Sequence, residues 1–192
     1  MLHFDHATSV AENKIWFLWV DDLQISFRNC WDQLVHMSIT FRSGSSFDLS
    51  RVYAKCTRVG RRALWTALET ISNEVCNLWI VMGDFNVISA AEERVGGVPP
   101  NMRNIEEFNL AMFNCGLSTV DFDGSKFTWT NGTIWHCLHR ALTNAHWMEA
   151  FTITKILHIA RGRSDHAPLL VKCGKCSATS SSFRFINAWT SH

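Results

Sequence analysis

The chain has 192 residues, of which 47% are hydrophobic and 18% are charged, and its formal net charge is +1. This composition excludes an intrinsically disordered chain and predicts a globular protein with a sizeable core, within the length of one domain. The near-neutral charge excludes a global basic field, so contact with nucleic acid would require a local patch. No apolar run reaches the roughly 18 residues of a membrane span.

The first part of the chain predicts consecutive antiparallel strands. Residues 1–13 are polar without a clear period and lack the apolar stretch of a signal peptide. An apolar run predicts a strand over residues 15–20, and strict alternation of apolar and polar residues predicts another over 23–28. Similar patterns over 34–41 and 47–54, separated by a Ser-Gly turn, predict two more.

Two amphipathic helices follow, because apolar residues recur every three or four positions and so form one stripe on each. The stripes consist of Leu64, Leu68, Ile71 and Val75 in the first helix and of Ile105, Phe108, Met112 and Cys115 in the second. Asn104 and Glu107 are spaced as a capping box at the start of the second helix, and Gly116 is placed to end it.

Between the helices, residues 78–82 have the length and β-branched content of a buried strand. Asp84 and Asn86 follow at once, and we expect them at the strand's end because an unpaired carboxylate is costly inside a core. Gly83 lets the chain turn there and lets a ligand approach closely. Asp84 and Asn86 could hold a hydrated metal ion and a phosphate oxygen, although an Asx turn without a ligand has the same pattern.

The last part of the chain returns to strands. Residues 127–130 and 134–138 predict two strands joined by a hairpin at Asn131-Gly132. Residues 141–151 predict a short helix, and 152–159 lead to a loop that carries Asp165 and His166 before a strand over 167–172. The serine-rich segment 177–182 has linker composition, so we expect one domain over 1–176 and a tail over 177–192.

The motifs Gly-Asp-Phe-Asn at 83–86 and Ser-Asp-His-Ala-Pro at 164–168 together resemble the endonuclease/exonuclease/phosphatase family. The wider pattern resembles the endonuclease region of plant LINE-type (non-LTR) retrotransposons. Its matching segments are 14–16, 52–56, 61–65, 115–117, 124–131, 138–142 and 183–189. The resemblance implies an α/β fold in which two packed, mainly antiparallel β-sheets are flanked by helices as a four-layer sandwich, here truncated at its N-terminus.

The resemblance also implies Mg²⁺-dependent cleavage of a phosphodiester bond, with DNA as the ancestral substrate and no small-molecule cofactor. Asp84 would activate the attacking water and, with Asp165, bind the metal. Asn86 would orient the scissile phosphate, Tyr53 would hydrogen-bond it, and His166 would contact it or act as acid and base. Mg²⁺ would neutralise charge on the phosphate.

Several departures from the family pattern predict impaired activity. The chain starts after the family's first strand and its metal-binding glutamate. His139 stands where the family has the carboxylate that orients the catalytic histidine, so we expect His166 to lose its acceptor. Thr119 stands at the position of another family aspartate. A non-catalytic remnant or interaction module that keeps only the fold is therefore the alternative function.

Cysteine and basic residues suggest further sites. Seven scattered cysteines, an odd number, favour reduced thiols and an intracellular protein, nuclear or cytoplasmic. Cys173 and Cys176 form a CxxC motif that could bind zinc with His136, Cys137 and His139, a third functional hypothesis. The candidate basic patches for nucleic acid are Lys55, Arg58, Arg61 and Arg62, and separately Arg161 and Arg163.

Overall fold

The computed structural model describes residues 3–10 and 14–174. Its strands are β1 (His6–Val10), β2 (Ile15–Trp19), β3 (Leu23–Cys30), β4 (Leu34–Phe41), β5 (Ser46–Tyr53), β6 (Trp79–Asp84), β7 (Arg94–Val95), β8 (Ser118–Thr119), β9 (Phe122–Gly124), β10 (Trp129–Thr130), β11 (Trp135–His136), β12 (His139–Thr143), β13 (Ile153–His158) and β14 (Leu169–Gly174). Its α-helices are α1 (Arg58–Glu74), α2 (Met102–Asn114) and α3 (Ala145–Ala150), and a 3₁₀ turn spans Ala91–Glu93. Cys176, the segment 183–189 and the expected tail lie outside the described residues.

The largest sheet has six strands in the order β3-β4-β5-β6-β12-β8. β3, β4 and β5 are antiparallel neighbours, as predicted, whereas β5 and β6 are parallel. Parallel neighbours need a long crossover, and α1 supplies it between β5 and β6. Smaller sheets, β14-β13-β9, β10-β11-β7 and β1-β2, complete an α/β architecture in which most strand pairs are antiparallel.

β6 lies at the centre of this architecture and is buried on both faces. Its residues Trp79 and Val81 belong to the main core, together with Leu64 of α1 and Phe108 of α2. Ile80 points the other way and packs with a second cluster that includes residues of α3 and β13. Because successive side chains of β6 point to opposite faces and both faces are buried, the strand is a continuous apolar run in the sequence.

Two of the buried tryptophans, Trp79 and Trp147, have hydrogen-bond partners for their indole N–H groups. Trp79 Nε1 donates to Ser50 Oγ at 2.9 Å, and Trp147 Nε1 donates to Thr154 Oγ1 at 3.0 Å. The first bond links β6 to β5, and the second links α3 to the next strand, β13.

The register of the large sheet places three side chains in one row. Tyr53, the last residue of β5, pairs with Asp84, the last residue of β6. His139, the first residue of β12, pairs with Asp84 from the other side. Because directly paired residues of adjacent strands share a face, the three side chains are neighbours at one end of the sheet.

Some local predictions were wrong. Residues 139–143 form a strand between β6 and β8, and the helix begins only at Ala145, where Asn144 Oδ1 accepts from Trp147 N–H at 3.0 Å. Asn101 caps α2 in place of Asn104 by accepting from Arg103 N–H at 3.0 Å. Residues 6–10 form a strand because β2 offers them a complete antiparallel partner.

The prediction for Gly116 is confirmed: it follows α2 with φ +64°.

Candidate active site

Asp84 is the carboxylate at the centre of the candidate site, and only 5% of the residue is exposed. Its Oδ1 accepts a hydrogen bond from Asn86 N–H at 2.9 Å. Its Oδ2 lies 3.7 Å from His166 Nδ1 and 3.9 Å from His139 Nε2. One carboxylate oxygen therefore holds the turn after β6, and the other faces two imidazoles.

The turn that presents Asp84 depends on unusual backbone angles. Gly83 has φ +149° and Asn86 has φ +49°, in the region that most side chains avoid. Asn86 tolerates this conformation, and its Nδ2 donates to the Ala54 carbonyl at 2.7 Å. The Asn86 amide thus braces the end of β6 against the segment that follows β5. The Asx turn, which the sequence offered as the alternative to a ligand site, is present in the structure.

A chain of hydrogen bonds connects the two histidines and sets their tautomers. His139 Nδ1 lies 2.8 Å from the Ala167 carbonyl, which can only accept, so Nδ1 carries the proton. In the neutral ring Nε2 is then an acceptor, and it lies 2.8 Å from His166 Nδ1, which donates. His166 Nε2 is left with its lone pair. The expectation that His166 lacks an acceptor was therefore wrong, because the His139 imidazole takes that place.

The loop that carries His166 is held against the strand Trp129–Thr130 by main-chain contacts. Ala167 N–H donates to the Thr128 carbonyl at 2.7 Å, and Thr130 N–H donates to the Asp165 carbonyl at 3.1 Å. Asp165 Oδ2 accepts from the Trp129 indole at 3.3 Å and lies 3.9 Å from His166 Nε2. The loop thereby fixes an imidazole with Asp84 beside one nitrogen and Asp165 beside the other.

Burial lowers the pKa of His139 below 6.5, because desolvation penalises the imidazolium and His166 and Arg51 add repulsion. Asp84 and the Ala167 carbonyl oppose this shift but do not reverse it. His139 is therefore neutral at pH 7 and can accept the hydrogen bond from His166. A cavity of about 360 Å³ adjoins the pair and is lined by both imidazoles, Arg51 and Pro168, among others.

Arg51 is the site residue that sequence analysis missed. Its Nη1 donates to the carbonyls of Val52 at 2.8 Å and Met82 at 3.3 Å, directly beneath Gly83. Burial lowers its pKa, against the attraction of Asp84. The sequence carries no signal for this role, because Arg51 is one of several polar residues in a strand that alternates. Only the pairing of β5 with β6 brings it under Asp84.

The donor set at Asp84 does not suit Mg²⁺, the metal that the family resemblance implies. Among the described residues, only Asp84, His139 and His166 bring three ligand atoms within 4.8 Å of one another. Mg²⁺ prefers oxygen ligands in near-octahedral geometry, whereas this set offers one carboxylate and two imidazoles. Asp165 does not join the group, and His136 and Cys137 do not join His139 in it.

The remaining residues suggested by the sequence lie around this centre. Tyr53 is 50% exposed in the row that it shares with Asp84. Arg61 is buried, and its guanidinium donates to the carbonyls of Cys56 and Asn86 at 2.8 and 3.0 Å. The prediction that Arg61 belongs to a basic surface patch was therefore wrong, because it serves as a structural donor instead.

Other basic candidates are paired or exposed. Arg58 and Arg62 form ion pairs with Glu107, and Lys55 pairs with Asp32 at 2.7 Å. Arg161 stacks over the Trp135 ring at 4.4 Å, and Arg163 is exposed beside the His166 loop. No helix in the described part of the chain is long and apolar enough to cross a membrane.

Comparison with known proteins identifies the fold. No family model and no curated protein matches the sequence. The endonuclease domain of TRAS1, a telomere-specific non-LTR retrotransposon, superposes with a TM-score of 0.64 at 12% identity over 81% of this chain and 71% of that one. An endonuclease/exonuclease/phosphatase protein from Bacteroides vulgatus superposes at 0.54 and 12% identity over 88% of this chain and 76% of its own. A family protein from Bacteroides thetaiotaomicron also reaches 0.54 at 12% identity, over 82% and 68%. These likenesses show that the chain adopts the fold of the endonuclease/exonuclease/phosphatase proteins.

Proposed function

We propose that this chain derives from a retrotransposon endonuclease and carries a phosphodiesterase site with impaired activity towards DNA. The observation that carries the proposal is the convergence of Asp84 and His166 at 3.7 Å, beside the turn of Asn86 and in the row of Tyr53. These are the residue types and positions that the family resemblance assigns to phosphodiester cleavage. The fold of the TRAS1 endonuclease domain supports the same ancestry.

The roles of the individual residues follow from their contacts. His166 Nε2 keeps its lone pair on a side chain that is 37% exposed, so it can take a proton from a water or share one with a phosphate oxygen. Asp84 Oδ2 lies 3.7 Å from the other nitrogen of that ring, Nδ1, where its negative charge favours the imidazolium. Tyr53, half exposed at the adjoining strand end, is placed to donate its hydroxyl proton to a phosphate oxygen.

The expected loss of cleavage activity follows mainly from the charge missing at position 139, because His139 still lies within hydrogen-bonding distance of His166. His139 orients His166 as a carboxylate would, but a neutral imidazole does not stabilise the imidazolium that forms when His166 takes a proton. A unit charge about 4 Å away is worth about 4 kcal/mol at an effective dielectric constant of 20. Asp84 offsets part of this loss, yet it must serve both imidazoles. Among the described residues, the donor set also offers a single carboxylate beside two imidazoles, whereas Mg²⁺ prefers oxygen ligands.

Supercoiled plasmid incubated with Mg²⁺ tests the proposal. We expect little nicking by the native chain and more by His139→Asp, which restores both a carboxylate acceptor for His166 and a second anionic ligand. Asp84→Asn in the His139→Asp background should remove the gain while keeping an acceptor for Asn86 N–H. The matched control is His146→Asp, the same substitution on exposed α3, which should gain nothing.

The alternative function is a non-catalytic module that keeps the fold. The observation that favours it is the donor set of one carboxylate and two imidazoles, which suits Mg²⁺ poorly. Under that alternative, His139→Asp gains no nicking although it folds normally by circular dichroism. If the native chain itself nicks plasmid in a Mg²⁺-dependent manner that Asp84→Asn abolishes, the impairment is refuted and the chain is an active endonuclease.

A further inference from the structure

The cluster of one carboxylate and two imidazoles has the donor chemistry of a transition-metal site. We infer that Asp84 Oδ2, His139 Nε2 and His166 Nδ1 together bind a borderline divalent metal such as Zn²⁺ in preference to Mg²⁺. Imidazole suits Zn²⁺, and two histidines with one carboxylate leave a further coordination position for water or a ligand oxygen. The inference concerns binding and does not rest on the proposed cleavage of DNA.

The distances between the donor atoms fit such an ion. Tetrahedral bonds of about 2.0–2.1 Å separate neighbouring ligand atoms by about 3.4 Å. The observed separations are 2.8 Å between His139 Nε2 and His166 Nδ1, and 3.7 and 3.9 Å from these nitrogens to Asp84 Oδ2. These values bracket the tetrahedral one, so small side-chain rotations suffice to admit the ion.

Two of the three donors are oriented by a hydrogen bond on their far side. Histidines that bind metals almost always donate their other ring N–H to a carbonyl or a carboxylate. His139 Nδ1 has such a partner in the Ala167 carbonyl at 2.8 Å. Asp84 Oδ1 accepts from Asn86 N–H at 2.9 Å, which leaves Oδ2 for the ion. The backbone thus holds His139 and Asp84 in place before any metal binds.

The hydrogen-bonded histidine pair also explains where the proton goes. His166 donates through Nδ1 in the metal-free protein. Coordination of Nδ1 requires that this proton leave, and a neutral imidazole then carries it on Nε2. Asp165 Oδ2 lies 3.9 Å from Nε2 and becomes its acceptor after a small rotation. Binding at this nitrogen therefore needs a change of tautomer.

Zinc binding to the full chain, freed of metal with a chelator, tests the inference. Titration calorimetry should show one Zn²⁺ per chain that excess Mg²⁺ does not displace. His139→Gln and Asp84→Asn each remove a ligand, and the affinity should fall by more than the roughly 10–100-fold that outer contacts contribute. His6→Gln is the matched control, because His6 forms an exposed pair with Asp21 at 2.8 Å and should leave binding unchanged.

Cysteine ligation is the competing source of zinc affinity, and the double variant Cys173→Ser/Cys176→Ser separates the two. The site inferred here persists in that variant. It is refuted if binding disappears there, if His139→Gln binds as tightly as the native chain, or if the native chain binds no Zn²⁺. Histidine-ring nitrogen NMR of the native chain gives a readout that needs no substitution, since added Zn²⁺ should shift two imidazole spin systems.

The outcomes for this site and for the proposed function are distinguishable. Zinc bound by the native chain without nicking by His139→Asp would support the metal site and remove the phosphodiesterase proposal. Nicking by His139→Asp without zinc binding by the native chain would do the reverse.

Discussion

At the residue scale, Gly83 is the position where the site leaves least room for a side chain. A Cβ on Gly83 would lie 2.0 Å from both Arg51 Nη1 and the Val52 carbonyl oxygen, and the residue has φ +149°. Both obstacles arise from the parallel pairing of Val52 with Gly83. The glycine therefore allows Arg51 to pass beneath the end of β6, next to Asp84.

Gly83→Ala should destabilise the chain through both effects. Backbone strain at a non-glycine residue costs about 1–3 kcal/mol and overpacking about 1–3 kcal/mol more. Gly44→Ala is the control, because Gly44 has φ +87° but nothing within 4 Å of its added Cβ. Urea denaturation of the two variants measures the difference. Equal losses of unfolding free energy would show that the contact with Arg51 and Val52 has no energetic consequence.

At the element scale, Arg140 ties β12 to the 3₁₀ turn Ala91–Glu93. Its guanidinium bonds the Glu93 carboxylate at 2.8 and 3.2 Å and donates to the Cys137 carbonyl at 2.9 Å. Burial alone would raise the pKa of Glu93, but the bonds from Arg140 and Ser89 outweigh it and hold the pKa below its ordinary value. This buried pair steadies β12, the strand that supplies His139.

Arg140→Met should cost about 3 kcal/mol, the low end of the range for buried pairs, because it leaves the partly buried Glu93 carboxylate without its partner. The double variant Arg140→Met/Glu93→Met removes both charges and should recover part of that loss. A double-mutant cycle by urea denaturation measures the coupling. If the losses of the two single variants simply add in the double variant, the pair carries no coupling and the assignment is wrong.

At the scale of the whole molecule, histidines that are buried or partly buried are distributed over several elements. They are His36 in β4, His136 in β11, His139 in β12 and His158 in β13. Desolvation is the largest cause of a lowered pKa at each of them, from an ordinary value of 6.5. In the folded chain these rings resist protonation, whereas in the unfolded chain they titrate normally.

Stability should therefore fall as the pH drops below 6.5. In that range the unfolded state binds more protons than the folded state, so protonation favours unfolding. The loss grows until the pH passes through the depressed folded-state values. Thermal melts in matched buffers should show a lower Tm at pH 5.5 than at pH 7.5. Between pH 8 and pH 7 the histidines are largely neutral in both states, and the Tm should stay nearly constant. A Tm that is unchanged or higher at pH 5.5 would contradict this account.

Much of the fold and the site followed from local patterns. The apolar run before Gly83, the stripe of Leu64, Leu68 and Ile71, and the alternation in β3 predicted elements that the structure contains. These patterns predict the elements correctly because burial on one or both faces limits which residues a strand or helix can contain. The spacing of Asp84 and Asn86 and the adjacency of Asp165 and His166 likewise marked the strand ends that meet at the site.

Other features depended on contacts between distant segments. β1 and β12 became strands because partners were available in β2 and β6, and no propensity of their own predicted it. The sequence placed His139 at the position of a family carboxylate, and from this we expected His166 to lack a hydrogen-bond acceptor. In the structure the His139 ring is that acceptor. The Ala167 carbonyl decided this by fixing the proton on His139 Nδ1, and a main-chain carbonyl has no sequence signature. The sequence by itself therefore determined which chemical groups stand at the strand ends, whereas tertiary structure decided which atoms face one another, because hydrogen-bond direction depends on positions that only the folded backbone sets.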